Sequence, residues 1–169
     1  VLRDEIRHHV VMKVNTKIIG MDKLTAELRK MGLDAKQLSS EGVVVGFTQR
    51  YAIYVHEVQA RHKPGKQWKF LESPFRTLMT TGELIRIIKE VYQKTKSLTK
   101  AFLVAGLRIQ RVAQQIVPID TGALKASAFT TLESNLSTAA ALAFKKSEAK
   151  RIEGRARQSA RAAKKASKK

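Results

Sequence analysis

The sequence predicts an α+β fold: a small antiparallel β-sheet packed by two or three helices, with a basic C-terminal extension. Three observations lead there. Short alternating or β-branched apolar runs, Val10/Met12/Val14 and Val43–Phe47, suit strands. From Glu72 to Ile116 the apolar residues instead recur at spacings of three and four, the period of a helix buried along one face. From Lys145 to Lys169, eleven Lys or Arg stand against Glu148 and Glu153, and Ile152 is the one large apolar residue. With 169 residues, 43% of them hydrophobic, the chain can bury the core of one domain. We place that domain at residues 1–144, with 1–14 as an N-terminal arm or strand, and a basic arm at 145–169.

Each element has a local reason. Gly20 and Asp22 precede Leu24, Leu28 and Met31, which share a helical face that Gly32 closes. Val43–Phe47 reads as a buried strand. Thr48–Arg50 leads from it into Tyr51-Ala52-Ile53-Tyr54-Val55, whose β-branched and aromatic residues predict a second strand and a Val43–Val55 hairpin. Arg61-His62-Lys63-Pro64-Gly65-Lys66 then breaks the pattern with turn residues and positive charge. Trp68, Phe70, Leu71 and Phe75 return to the core.

Leu78, Leu84, Ile85, Ile88, Val91 and Tyr92 predict a single amphipathic helix of about 15 residues. Ser97 caps another that carries Phe102, Leu103, Leu107, Ile109, Val112 and Ile116. Pro118 stops it, because a proline disfavours helix in the residue before it. Ala123–Leu132 is short and β-compatible. The basic arm combines high helix propensity with no apolar stripe. Its composition therefore suggests disorder when free, with a neighbouring subunit as the surface that orders it.

The formal net charge of +19 implies polyanionic surroundings: nucleic acid, an acidic protein face or an anionic membrane surface. There is no cysteine, which excludes disulfides and thiolate metal sites. No stretch approaches the roughly 18 uninterrupted apolar residues of a membrane span, so none is expected. The opening VLRDEIRHHVV lacks the apolar core of a signal peptide. Met12 is a natural start, which would leave residues 1–11 as an extension.

Three fragments carry a resemblance. The first is Tyr51-Ala52-Ile53-Tyr54-Val55-His56-Glu57, followed by the basic turn and Lys69-Phe70-Leu71-Glu72-Ser73-Pro74. The second is Val117-Pro118-Ile119-Asp120-Thr121-Gly122-Ala123-Leu124-Lys125-Ala126-Ser127. The third, Ile19-Gly20-Met21-Asp22-Lys23-Leu24-Thr25-Ala26-Glu27-Leu28, is similar to a first helix. Together they resemble the neck proteins of tailed phages, which join head to tail or complete the tail. They appear here in permuted order, with the P-x-D-T-G-A-L segment after the Tyr-Val-His-Glu segment. The resemblance implies a structural virion protein, assembled in the host cytoplasm, that acts by subunit pairing. It implies a ring of six subunits, as at a tail terminus, with twelve suiting a portal-proximal adaptor. Portal, adaptor or stopper proteins and tail tube or sheath proteins would be neighbours, and phage DNA would pass close by.

The residues expected at assembly contacts are Tyr51, Tyr54, His56, Glu57, Arg61, Lys63, Lys66, Trp68, Asp120, Thr121 and Lys125. The basic arm contributes Lys145, Lys146, Lys150, Arg151, Arg155, Arg157, Arg161, Lys164 and Lys165. No catalytic residue, metal or cofactor is expected. His56 and Glu57, read as strand neighbours, would point to opposite faces and could not chelate together. No H-E-x-x-H spacing or phosphate-binding glycine loop occurs. Asp120-Thr121-Gly122-Ala123 also resembles the active-site loop of retroviral-type aspartic proteases, where two aspartates share a proton. Such a loop follows a strand, whereas Leu107–Ile116 has helical spacing, so an Asx-type turn is the better reading.

The alternative of another class is a nucleic-acid-binding protein with a globular domain and a phosphate-contacting tail. Lys63, Lys66 and Lys69 around Trp68 fit it in part. We favour docking for that loop, because Trp68, Phe70 and Leu71 have the character of packing anchors.

Overall fold

The computed structural model describes residues 10–13, 21–30, 32, 42–59 and 63–166. Three strands, β1 (Val10–Lys13), β2 (Val43–Phe47) and β3 (Ala128–Leu132), form an antiparallel sheet in the order β1-β2-β3. β2 is central, with Val45 opposite Met12 on one side and Thr130 on the other. The fold is α+β, as the sequence predicts. Helix α1 spans Met21–Lys30 and ends at Gly32, whose N–H donates to the Arg29 carbonyl in the left-handed conformation at φ 80°. Helices α2 (Ala52–Glu57), α3 (Glu72–Thr80), α4 (Glu83–Thr95), α5 (Leu98–Ile116), α6 (Ala123–Ala126) and α7 (Leu136–Ala166) complete the chain.

Every residue of β2 is buried, because both faces of the sheet are covered. Successive side chains of a strand point to opposite faces. Val43 and Val45 meet α5, while Val44 clusters with Phe129 and with Ala140 and Ala143 of α7. Helix α5 approaches so closely that a Cβ on Gly106 would lie 2.8 Å from Thr130 Cγ2 and 3.0 Å from Val43 Cγ1. Ala101, Ala105, Ile109 and Ala113 continue its buried face into the main core, with Phe47, Phe70, Leu71 and Phe75. Ser97 caps α5, its Oγ accepting the Lys100 N–H at 3.3 Å. Val117, before Pro118, is extended at ψ 138° and ends the helix as expected.

The structure corrects four expectations. Tyr51–Val55 is not a strand, so there is no Val43–Val55 hairpin; α2 occupies this segment. Both edges of β2 are already paired, by β1 and β3, which leaves no ladder for a third partner. The segment instead buries Ala52 and His56, four residues apart, and exposes Ile53 and Tyr54. Local β propensity loses to tertiary pairing. The helix expected from Leu78 to Tyr92 is two helices, because Gly82 adopts φ 73° and turns the chain between α3 and α4. Ala123–Leu132 divides into the single turn α6 and strand β3.

The fourth correction concerns the C-terminus. Helix α7 is continuous over 31 residues, so the boundary expected at 144/145 falls inside it. Ala140, Ala143, Ser147, Gly154 and Gln158 share the face turned to the body. Through Gln158 this arm docks on the chain's own domain. Lys164 and Lys165 belong to the helix; their side chains lie outside the described residues.

Candidate functional site

The fold brings the two long resembling segments together. Tyr51 and Val55 of the α2 segment face Pro118, Ile119, Asp120, Thr121, Gly122 and Leu124 across an open cleft of about 240 Å³. Lys63 and Lys66 of the basic turn also line it. Most of the cleft surface is apolar, with Lys63, Lys66 and Asp120 as its charged members. Ile119 of the cleft stays exposed, as do Ile53, Tyr54 and Val58 of the α2 segment, Tyr54 to 67%.

Local chemistry fixes the loop. Gly122 sits at φ 88°, a conformation that side chains rarely adopt, and opens α6. The Thr121 hydroxyl, not the Asp120 carboxylate, accepts a backbone N–H, that of Ala123 at 3.3 Å. The turn is thus threonine-based, and the expected Asx turn is corrected. Asp120 Oδ1 accepts instead from Gln158 Nε2 of α7 at 3.0 Å. Helix α7 crosses the loop so closely that a Cβ on Gly154 would lie 2.7 Å from the Thr121 carbonyl oxygen. The loop also follows helix α5, not the strand that precedes an aspartic-protease loop.

Further along α7, Gln49 Nε2 donates to Ser147 Oγ at 2.7 Å and to Glu148 Oε1 at 3.2 Å. The fully buried Ser147 hydroxyl donates on to the Phe144 carbonyl. The Gln49 bond, with Arg151 beside it, holds the Glu148 carboxyl below its ordinary range. Burial pushes the Tyr51 hydroxyl up, and the nearby Asp120 and Glu148 charges add to the rise.

Beneath α2 runs an ion network. His56 Nδ1 meets Glu57 Oε1 at 2.6 Å, and Lys69 Nζ donates to Glu57 Oε2 at 2.5 Å. Lys69 also pairs with Glu72, which binds Arg76. The Lys69 bond, then that from His56, draws the Glu57 carboxyl down. On a helix these neighbours do reach each other, contrary to the strand-based expectation. His56 is only 5% exposed and stacks edge-on with Phe70 at 5.0 Å, so its ring belongs to the core; the outward carboxylate is that of Glu57. Among the described residues, no group of three or more His, Asp or Glu could hold a metal ion.

The remaining expected contacts are dispersed. Lys63 is exposed, whereas Lys66 donates to the Gln115 carbonyl. Trp68 is half-buried under Lys69 Nζ, 5.8 Å from its ring centroid, while Phe70 and Leu71 are fully buried. Lys125 is exposed at the end of α6. Arg61 lies outside the described residues. Lys145, Lys146, Lys150, Arg155, Arg157 and Arg161 are exposed along α7, and Arg151 is half-buried. Sequence reasoning missed Gln49, Ser147, Gly154 and Gln158, which dock α7. A signal existed in Gly154, the one glycine after Gly122, set within an Ala, Lys and Arg run.

No family model, curated protein or solved structure matches the chain. No helix among the described residues is long and apolar enough to cross a membrane.

Proposed function

We propose that this chain is a structural protein of a tailed-phage virion, which forms a ring in the neck where head meets tail. The observation that carries the reading is the cleft. Two segments that resemble neck-protein signatures, over sixty residues apart in sequence, line one surface feature. Their permuted order then becomes a matter of connectivity, because a partner meets the surface and not the order of the chain.

The mechanism is assembly. A ring of six subunits, or twelve in a portal-proximal layer, needs heterologous contacts around a rotation axis. The exposed Tyr54 of α2 and Ile119 of the apolar cleft supply contact area of the kind that interface anchors fill. Among the described residues no further strand pairs the outer edges of β1 and β3, which offer backbone groups for a neighbour. Exposed positive charge outside α7, such as Lys63 and Lys125, fits acidic faces of portal, adaptor, stopper, tube or sheath proteins. Assembly would take place in the host cytoplasm, with the finished ring in the virion and no chemistry at its contacts.

Particle mass in solution, measured without nucleic acid at low and high salt, tests this. The expected result is a discrete ring that Tyr54→Ala or Ile119→Asp converts to smaller species. A folded monomer at every concentration and salt, with no incorporation into tailed particles, would overturn it.

A further inference from the structure

Helix α7 carries its charge in an order that its composition alone does not reveal. Its docked face holds Ala140, Ser147, Gly154 and Gln158. At 3.6 residues per turn, the opposite face presents Ala149, Ala156, Ala160 and Ala163, all exposed. Basic residues flank this face on both sides. Lys146, Lys150, Arg157 and Arg161 run along one flank at spacings of four, seven and four, and Arg155 stands on the other. Lys146 and Arg161 lie about 22 Å apart along the axis. Lys150 and Arg157 share Glu153, while Lys146, Arg155 and Arg161 make no direct ion pair among the described residues. Beyond Ile152 the exposed face holds no apolar side chain larger than alanine.

We propose that the outer face of α7 is a binding surface for double-stranded nucleic acid, read without regard to sequence. The alanine face makes the helix slender enough to enter a major groove about 12 Å wide. The two basic flanks then meet the phosphates on either side. A protein partner is less well served, since interfaces draw their energy from buried aromatic or large apolar anchors, and this face has none after Ile152. The side chains turned into the groove are alanines, which offer base edges no hydrogen bond, and Gln158, the one amide on this half of the helix, is committed to Asp120; the flanking cations meet phosphate, which carries no sequence information. The proposal does not rest on the ring, because all of its residues lie on one chain.

The test is fluorescence anisotropy of the full chain with a labelled random-sequence duplex, across a range of salt. Each neutralised phosphate contributes about −0.9 to the slope of log K against log salt, so contacts from the five named flanking residues give a slope of about −4.5. Replacing Arg155, Arg157 and Arg161 together by Gln should flatten that slope by about 2.7. The Lys triple variant should keep the parent slope, and circular dichroism checks that both retain the helix. A Gln variant with the parent slope would overturn the proposal. So would labelled polyglutamate binding as tightly as the duplex at matched salt, which would assign the face to acidic protein. Mass measured without DNA reports on the ring independently, so the failure of either idea leaves the other readable.

Discussion

Helices α5 and α7 cover opposite faces of the same small sheet, and they do so by different physics. Helix α5 buries Leu98, Ile109 and four small residues, with a serine cap at its start and a proline beyond its end. Helix α7 packs Ala140 and Ala143 on Val44 and Phe129, then continues through hydrogen bonds and one close crossing at Gly154. One is held by apolar area. The other is held by shape and by a few polar contacts, so its far half should release first. Several experiments would break or sharpen that contrast.

The largest effect should come from Ile109→Ala, which leaves a cavity in the main core. It should cost about 2–5 kcal/mol, read as the shift in denaturant midpoint with an unchanged slope. Gly106→Ala adds a methyl group where Thr130 and Val43 already touch, and should cost about 1–3 kcal/mol in the same assay. If Gly106→Ala proved neutral, the sheet would be more yielding on the α5 side than the contrast allows.

Gly154→Ala should behave differently: both substitutions gain helix propensity, but the Gly154 methyl meets the Thr121 backbone where α7 is held by few contacts, so the far half of the helix can lift away to relieve the clash. We expect little change in global stability but faster amide exchange from Gly154 to Gln158. Exchange accelerated equally in α5 would mean that the two helices are one cooperative unit.

The smallest effect is a response to acid. Glu148 is depressed in the fold, so its contribution is present above the ordinary carboxylate pKa and is lost as pH falls through its lower, folded value. Acidification should therefore loosen the Gln49–Glu148 contact before the core responds. An NMR titration following Ser147 and Ile109 amides would show it as an earlier change at Ser147.

The same contrast explains what could be read from the sequence. Helix α5 was legible because Phe102, Ile109, Val112 and Ile116 repeat at helical spacing between a capping serine and Pro118. The α+β class and strand Val43–Phe47 were legible for the same kind of reason. The docking of α7 was not, since alanine, serine and glycine leave no hydrophobic period, and close approach has no signature beyond an isolated Gly154. Tyr51–Val55 misled because its residues favour strands, while the edges that decide the matter belong to β1 and β3, distant in sequence. The cleft lay in two recognisable pieces. Their meeting depended on α5 returning the chain to α2, which no local pattern encodes.

Helix α7 also has a consequence that concerns phase. Among the described residues Gln158 makes the last hydrogen bond from α7 to the body, and the helix runs on to Ala166 as a stiff spoke. Deleting one residue between Gln158 and Arg161 would shorten the spoke by only about 1.5 Å, yet turn everything beyond it by about 100°. The glutamine thus acts as an angular reference, and the direction in which Arg161 points is set by counting residues from it.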